Sequence, residues 1–416
     1  MSFKSIDGNP LAYPKSRSEY DPQLFFNPSA EYRGAPLWAW NTKLDRDLLL
    51  RQIDHMEEMG MGGFHMHVRV GLDTEYLGNE FMDHVRACVE YAKGKNMLAC
   101  LYDEDRWPSG AAGGLVTKGH PEFQSQHILL TRVPYGSGDT SEPPAFMGFG
   151  ARSELGNLLA RYDIQLNATG ELLSAKRLKD NEEPPLASNV YYAYMEPNIP
   201  SPWFNGETYV DTLNSAAISR FIETTHEKYK STLFKDFGQT VPSIFCDEPQ
   251  FTHKTQLATG TSRSDIFLPW SQDLPLTFET AYGYEILDKL PEIVWNLPED
   301  KPSLARYHFH DHVCERFVSA FMDQLAHWCR GNGIALTGHM MEEPFLKTQT
   351  GSLGEAMRCY RSLDLPGIDL LCDQFEYNTV KQATSVARQN GSRGAMCEIY
   401  GLVFRSRFLS TFANAT

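Results

Sequence analysis

The sequence predicts an α/β chain folded as a (β/α)8 TIM-type barrel, with an antiparallel β subdomain inserted between its third and fourth strands. Three observations lead there. Short apolar runs alternate with amphipathic helical segments over most of residues 34–416, the rhythm of right-handed βαβ units. That rhythm breaks once, between 120 and 200, where β-like runs follow one another closely. The apolar runs also finish on polar and ionisable side chains, as barrel strands do at their catalytic edge.

Taken in order, residues 1–33 are rich in Pro, Tyr and Ser, lack a clear period and read as an extended arm. "APLWAW" (35–40) is the first strand. Thr42, with Asp45 three residues on, resembles a capping box for a helix that repeats Leu44, Leu48, Ile53, Met56 and Met59 and stops at Gly60. "GGFHMHV" (62–68), a helix over 79–94 and "MLACLYDED" (97–105) continue the alternation. The inserted β subdomain spans 120–200, and the barrel resumes with "TYVDTL" (208–213), a helix over 215–235 and "VPSIFCD" (241–247). Residues 250–300, rich in Pro and Thr, read as a loop over one end. A helix over 303–331 leads to "GIALTGH" (333–339), "GIDLLCD" (367–373), a helix over 379–389 and "GAMCEIYG" (394–401), which brings the strand count to eight.

Hydrophobic residues make up 42% of the 416, enough to fill a core of this size. With 53 acidic against 38 basic residues the formal charge is −15, and no cluster of Lys or Arg stands out, which argues against nucleic acid and anionic membranes as partners. Neither an apolar leader core nor a run of 18 apolar residues is present, so a cytoplasmic location is expected. None of the eight cysteines forms a CxxC pair, and Cys246, Cys372 and Cys397 lie in apolar runs, which suits reduced, buried thiols.

The strand ends carry Asn41, His65 with His67, Asp103 to Asp105, Asp211, Asp247 with Glu248, His339, Asp373 with Glu376, and Glu398. Glycosidic hydrolysis needs one protonated carboxyl to give a proton to the leaving oxygen and one ionised carboxylate to activate water or attack the sugar. Glu248, Glu343 and Glu398 are placed for those roles, while any single acid there also serves to cap a helix or pair an arginine. Because side chains alternate along a strand, Asp247 and Glu248 are expected to point different ways, Glu248 toward the proton transfer and Asp247 in support. Trp38, Trp40 and Trp107 offer indole faces for a pyranose ring or, equally, core packing.

Two other patterns compete. "HMH" (65–67) resembles the paired zinc ligands of barrel amidohydrolases, but only His339 and scattered acids would complete the set. "HFHDH" (308–312) has a metal-capable helical spacing but lies mid-helix without the HExxH glutamate. "PSGAAGG", with Gly110, Gly113 and Gly114, matches no phosphate-loop pattern and reads as a tight loop that lets a substrate approach.

"PLWAWN", "GMGGFHMHVRVGLDTEYL", "LYDEDRWPSGAAGG", "IFCDEP", "TGHMMEEP" and "SVARQNG…MCEIYG" together resemble the catalytic barrels of glycoside hydrolases related to family 106 α-L-rhamnosidases, over about residues 25–401. The resemblance implies an inverting (β/α)8 hydrolase using glutamate acid and base and, in some members, a calcium ion in the sugar site. It places Glu398 at the catalytic glutamate of the last strand and leaves Glu248 or Glu343 as its partner. Family members run on through β-sandwich domains and a helix after the last strand that this sequence does not show, so an inactive relative is a second expectation. The resulting expectation is a hydrolase of a small-molecule glycoside or oligosaccharide with Glu248, Glu398, Glu343 and Asp247 catalytic. Trp40, Asn41, His65, His67, Asp103, Glu104, Arg106, Trp107, His339, Glu376 and Tyr400 would bind the sugar, with no required cofactor but Ca²⁺ allowed for. The alternatives are a non-hydrolytic sugar-binding barrel and a zinc-dependent hydrolase.

Overall fold

The computed structural model describes residues 6–13, 20–143, 151–185, 189–370, 376–392 and 394–399. Its strands, in chain order, are β1 (Leu37–Trp40), β2 (Gly63–Val68), β3 (Leu98–Tyr102), β4 (Gln126–Thr131), β5 (Asn157–Leu166), β6 (Leu172–Leu178), β7 (Val190–Pro197), β8 (Ser243–Asp247), β9 (Ile266–Trp270), β10 (Ala335–His339), β11 (Leu365–Leu370) and β12 (Met396–Ile399). Seven of them form a parallel sheet in the order β1-β2-β3-β8-β10-β11-β12, and five an antiparallel sheet in the order β6-β5-β7-β4-β9.

The expected closed (β/α)8 barrel is not what the described residues form. The parallel sheet has seven strands and is open, with no pairing between β12 and β1 among the described residues. The missing strand is "TYVDTL". Its backbone is taken up elsewhere: Tyr209 O accepts from Ser125 N at 2.9 Å and Asp211 N donates to Phe123 O at 2.8 Å. Asp211 and Asn214 then turn the chain into the helix Ser215–Thr224. The segment therefore ties down the start of the antiparallel sheet, and β3 pairs directly with β8 through Leu101↔Ile244 and Tyr102↔Phe245.

The Pro- and Thr-rich stretch over 250–300 also holds more than a loop. It supplies β9, buried along its whole length and paired with β4, and the helices Leu274–Tyr282 and Leu290–Val294. The antiparallel sheet is thus built from two separate stretches of chain.

Helices cover the parallel sheet through ordinary apolar stripes. In Arg46–Glu58 the cap is Asp45, which accepts from Leu48 N at 2.8 Å, rather than Thr42. That start buries Leu49, Ile53 and Met56 and leaves Leu48 and Met59 facing solvent. The long helix over 304–331 carries one π-helical turn, Val318–Met322, whose Phe321 and Met322 are fully buried. Described parts of the N-terminal arm anchor beneath the sheet, where the Asn9 amide donates to Pro242 O at 2.7 Å and Gly333 O at 3.2 Å. The C-terminal strand ends lie at the opposite edge of the sheet. No described helix is long and apolar enough to cross a membrane.

One close approach sets the spacing of the two central strands. Gly338 sits at φ 140°, and a Cβ there would lie 1.9 Å from the carbonyl oxygen of Cys246, its register partner on β8. Gly338→Ala is predicted to lower unfolding free energy by about 3 kcal/mol or more. Gly94→Ala, at a helix end with open space around it, should leave stability unchanged or raise it by up to about 1 kcal/mol. Denaturant melts of the two variants check this.

Candidate active site

Parallel register brings the ends of β8, β10, β11 and β12 side by side: His339 is opposite Asp247, and Asp369 opposite Glu398. The centre is the His339 imidazole, 1% exposed. Its Nε2 lies 3.0 Å from Glu398 Oε2 and 3.4 Å from Asp247 Oδ1, while Nδ1 lies 3.9 Å from Glu248 Oε1. Burial alone would lower the pKa of this histidine. The hydrogen bond to Glu398 and the charges of Asp247, Glu248 and Glu343 overcome that and raise it well above its ordinary value. His339 is therefore an imidazolium enclosed by acids.

Asp247 and Glu248 both face it, contrary to the alternation expected of a continuing strand. β8 ends at Asp247, and Glu248 adopts a left-handed backbone at φ 44°. The reversal turns its carboxyl back to the nitrogen opposite Asp247. A non-glycine residue in this region is disfavoured and persists only where its surroundings impose it. Here Glu248 N bonds His339 O at 3.3 Å and the Trp107 indole donates to Glu248 Oε2 at 2.5 Å.

The acids are not equivalent. Burial drives the Glu248 pKa up to about 8 against the pull of His339, with Asp247 and Asp369 adding repulsion. Asp369 is likewise pushed up to about 7 by burial. Burial also raises the Asp247 pKa, opposed by His339, by the Tyr102 hydroxyl at 2.6 Å and by the charge of half-buried Arg69. Glu398 accepts directly from the imidazolium. At neutral pH this leaves Glu248 protonated.

The other expected site residues take varied positions. Glu343 lies beneath the cluster, 3% exposed, accepting from the Tyr360 hydroxyl, from Met340 N at 2.9 Å and from Asp369 N at 3.4 Å. Asp103 binds Ser109 Oγ at 2.5 Å, and the same hydroxyl accepts from Asp247 N at 2.7 Å, so Asp103 reaches the site through Ser109. Glu104 turns into its own loop: its carboxylate accepts from the N–H groups of Asp105, Gly110, Ala111, Ala112 and Gly113. The "PSGAAGG" loop is thereby a cradle for an internal carboxyl group. Arg106 binds the carbonyls of Pro202 and Trp203 and the Asn205 side chain. That holds a loop of the insertion beside Trp107.

His65 and His67 lie within β2, against Phe245 and Tyr102 respectively. Burial lowers their pKa values to about 4 and about 3, so both are neutral. Trp40 is 1% exposed and packs edge-on against Trp38 and Phe81 in the core, leaving no face for a sugar. Asn41 is exposed after β1. Glu376 accepts from Thr379 at the start of the helix Tyr377–Gln389. Tyr400 and Asp373 lie outside the described residues.

The expected sequence pattern missed three residues. Asp369 sits inside the run "GIDLLCD", whose end was placed at Asp373, although β11 stops at Leu370; a lone acid within an apolar run was the available signal. Arg69 follows His67 by two residues, after Val68. Trp203, from the insertion, meets Trp107 edge-to-face at 6.4 Å, and the two half-buried indoles form the aromatic wall.

Against known proteins, no protein family matches the sequence and no curated protein does. Solved structures do match the fold. One is a rhamnosidase from Novosphingobium sp. PP1Y, superposing with a TM-score of 0.56 at 11% identity over 90% of this chain and 52% of that one. The two chains share a fold. The chain spans about half the length of that enzyme, and identity this low speaks to architecture alone.

The donor set bears on the calcium and zinc expectations. Asp247–His339–Glu398 and Glu248–His339–Asp369 each gather one ligand atom per residue within 4.8 Å. Both sets need an imidazole nitrogen, which an imidazolium does not offer. Calcium favours all-oxygen sets, so an imidazole-centred site fits it poorly and fits zinc better.

A raised carboxyl pKa has a signed consequence for stability. Since Glu248 binds its proton more tightly folded than unfolded, the stability it carries is present below about pH 4.5 and lost as pH rises toward about 8. Glu248→Gln, uncharged throughout, is predicted to melt higher than the parent above pH 8, by the equivalent of about 1 to 2 kcal/mol. The difference should shrink at pH 5, as calorimetry across that range would show.

Proposed function

We propose that the rim hydrolyses a glycosidic bond, with Glu248 as general acid and Glu398 as its partner carboxyl, the base or nucleophile. The observation that carries this reading is their placement against opposite nitrogens of one buried imidazolium, with Glu248 held in its acid form. Glu248 carries a proton at neutral pH and can deliver it to the leaving oxygen. Glu398, oriented by its 3.0 Å contact with His339 Nε2, accepts a proton from water or attacks the anomeric carbon. Asp247, held by Tyr102 and Ser109, fixes the charge balance and strand geometry around both.

Trp107 links the binding wall to the acid: the indole that faces Trp203 also donates to Glu248. Sugar C–H faces packed on this pair would lie beside the proton donor. The shared fold with a rhamnosidase supports a glycoside substrate, and an α-L-rhamnoside is the first to test. The Ca²⁺ of the sequence resemblance is not needed for these steps.

Two measurements test this. With aryl α-L-rhamnosides and a wider glycoside panel, Glu398→Gln should abolish turnover, while Glu248→Gln should lose about 10²–10⁴-fold on alkyl glycosides and far less on aryl glycosides with acidic leaving groups. Equal losses on both classes would contradict Glu248 as the acid. Trp107→Phe removes a hydrogen bond that favours the Glu248 carboxylate, so the alkaline limb of the pH–rate profile should move upward. Sugar binding with no turnover on any substrate would favour the non-hydrolytic reading. Loss of activity on chelation, restored by zinc, would favour the metal reading.

A further inference from the structure

A second site lies on the antiparallel sheet. A cavity of about 330 Å³ opens among the end of β4, the start of β7 and the loop before β9. Among the described residues its polar lining consists of Arg132, Asn189, Tyr191, Thr261, Ser262 and Arg263, with no acid. None of these residues belongs to the His339 cluster.

Its arginines differ from most others in this acidic chain. Arg152, Arg177, Arg316, Arg330 and Arg358 each pair with a carboxylate. Neither Arg132 nor Arg263 has a hydrogen bond or ion pair among the described residues; Arg132 rests only on the Tyr191 ring, 6.0 Å from its centroid. Both arginines line the same cavity as Tyr191. Two uncompensated cations facing one cavity in a chain of charge −15 create a local positive field where the molecule as a whole repels anions.

The wall is also built in advance. Gly170 and Gly260 touch backbone to backbone, so closely that a Cβ on either would come within 2.3 Å of its neighbour. The Trp295 indole donates to Gly260 O at 3.0 Å. The loop carrying Thr261, Ser262 and Arg263 is therefore pinned to the β5–β6 turn and to the helical layer before any ligand arrives. Its hydroxyls and the Asn189 amide supply neutral hydrogen-bonding groups beside the two cations.

We propose that this cavity is an accessory binding site for an anionic small molecule of monosaccharide size, bearing a carboxylate or sulfate group. Guanidinium groups bind both oxyanions through paired N–H donors, and the volume falls in the range of small-ligand pockets. The assignment is independent of the catalytic reading of the rim.

The test is titration calorimetry on the full chain with glucuronate, inorganic sulfate and glucose at low ionic strength. Glucuronate, sulfate or both should bind, with glucose at least about tenfold weaker, and added salt should weaken the anion. A response to one anion alone identifies the group recognised. Arg263→Gln, on the exposed loop, should weaken anion binding by about tenfold or more, equivalent to about 1.4 kcal/mol, with an unchanged melting temperature. Glu248→Gln should bind the anion as the parent does. No anion binding up to about 50 mM, far weaker than the millimolar scale, would overturn the proposal. So would equal binding of glucose, binding unchanged in an Arg132→Gln/Arg263→Gln double variant, or binding lost in Glu248→Gln.

Discussion

A buried imidazolium needs anions around it, and the arrangement at the end of the parallel sheet follows from meeting that need at His339. Its two nitrogens are held by Glu398 and Asp247 on one side and Glu248 on the other. One cation cannot neutralise so many acids at once. The excess is resolved by protonation of the carboxyls that burial disfavours most as anions, foremost Glu248. Removing His339 would leave the acids to repel one another, so the same contact organises both the fold of the rim and the division of its protons.

The backbone supports this contact at two points that carry no chemistry themselves. Gly338 lets β10 approach β8 closely enough to place His339 beside Asp247. The left-handed turn at Glu248 brings a second carboxyl back to the same ring. Around them, Glu104 organises its loop from within, and Arg106 fastens the insertion so that Trp203 meets Trp107. Several charged residues at the edge thus position the aromatic wall rather than face a ligand.

Much of this was legible in the chain because parallel strands buried on both faces read as short apolar runs, and their ends announce themselves when acids interrupt the run. "IFCDEP" and "GIALTGH" gave β8 and β10 to within a residue or two. What escaped had physical causes. "TYVDTL" has the composition of a strand, but its hydrogen bonds go to residues 123–125, which no local pattern reveals. β9 hides among prolines because its partner β4 is distant in sequence. Asp369 was hidden by neighbours as apolar as any strand interior. The shared orientation of Asp247 and Glu248 depends on one positive φ, and alternation by itself predicts the opposite.

The central claim is that Glu248 holds a proton at neutral pH because it is buried beside an imidazolium already claimed by other acids. Carbon-13 NMR of glutamate carboxyls across pH 3 to 10 measures this directly. One resonance should titrate near pH 8, absent from Glu248→Gln. If every glutamate is already ionised by pH 6, Glu248 is no acid at neutral pH and the account of the rim fails.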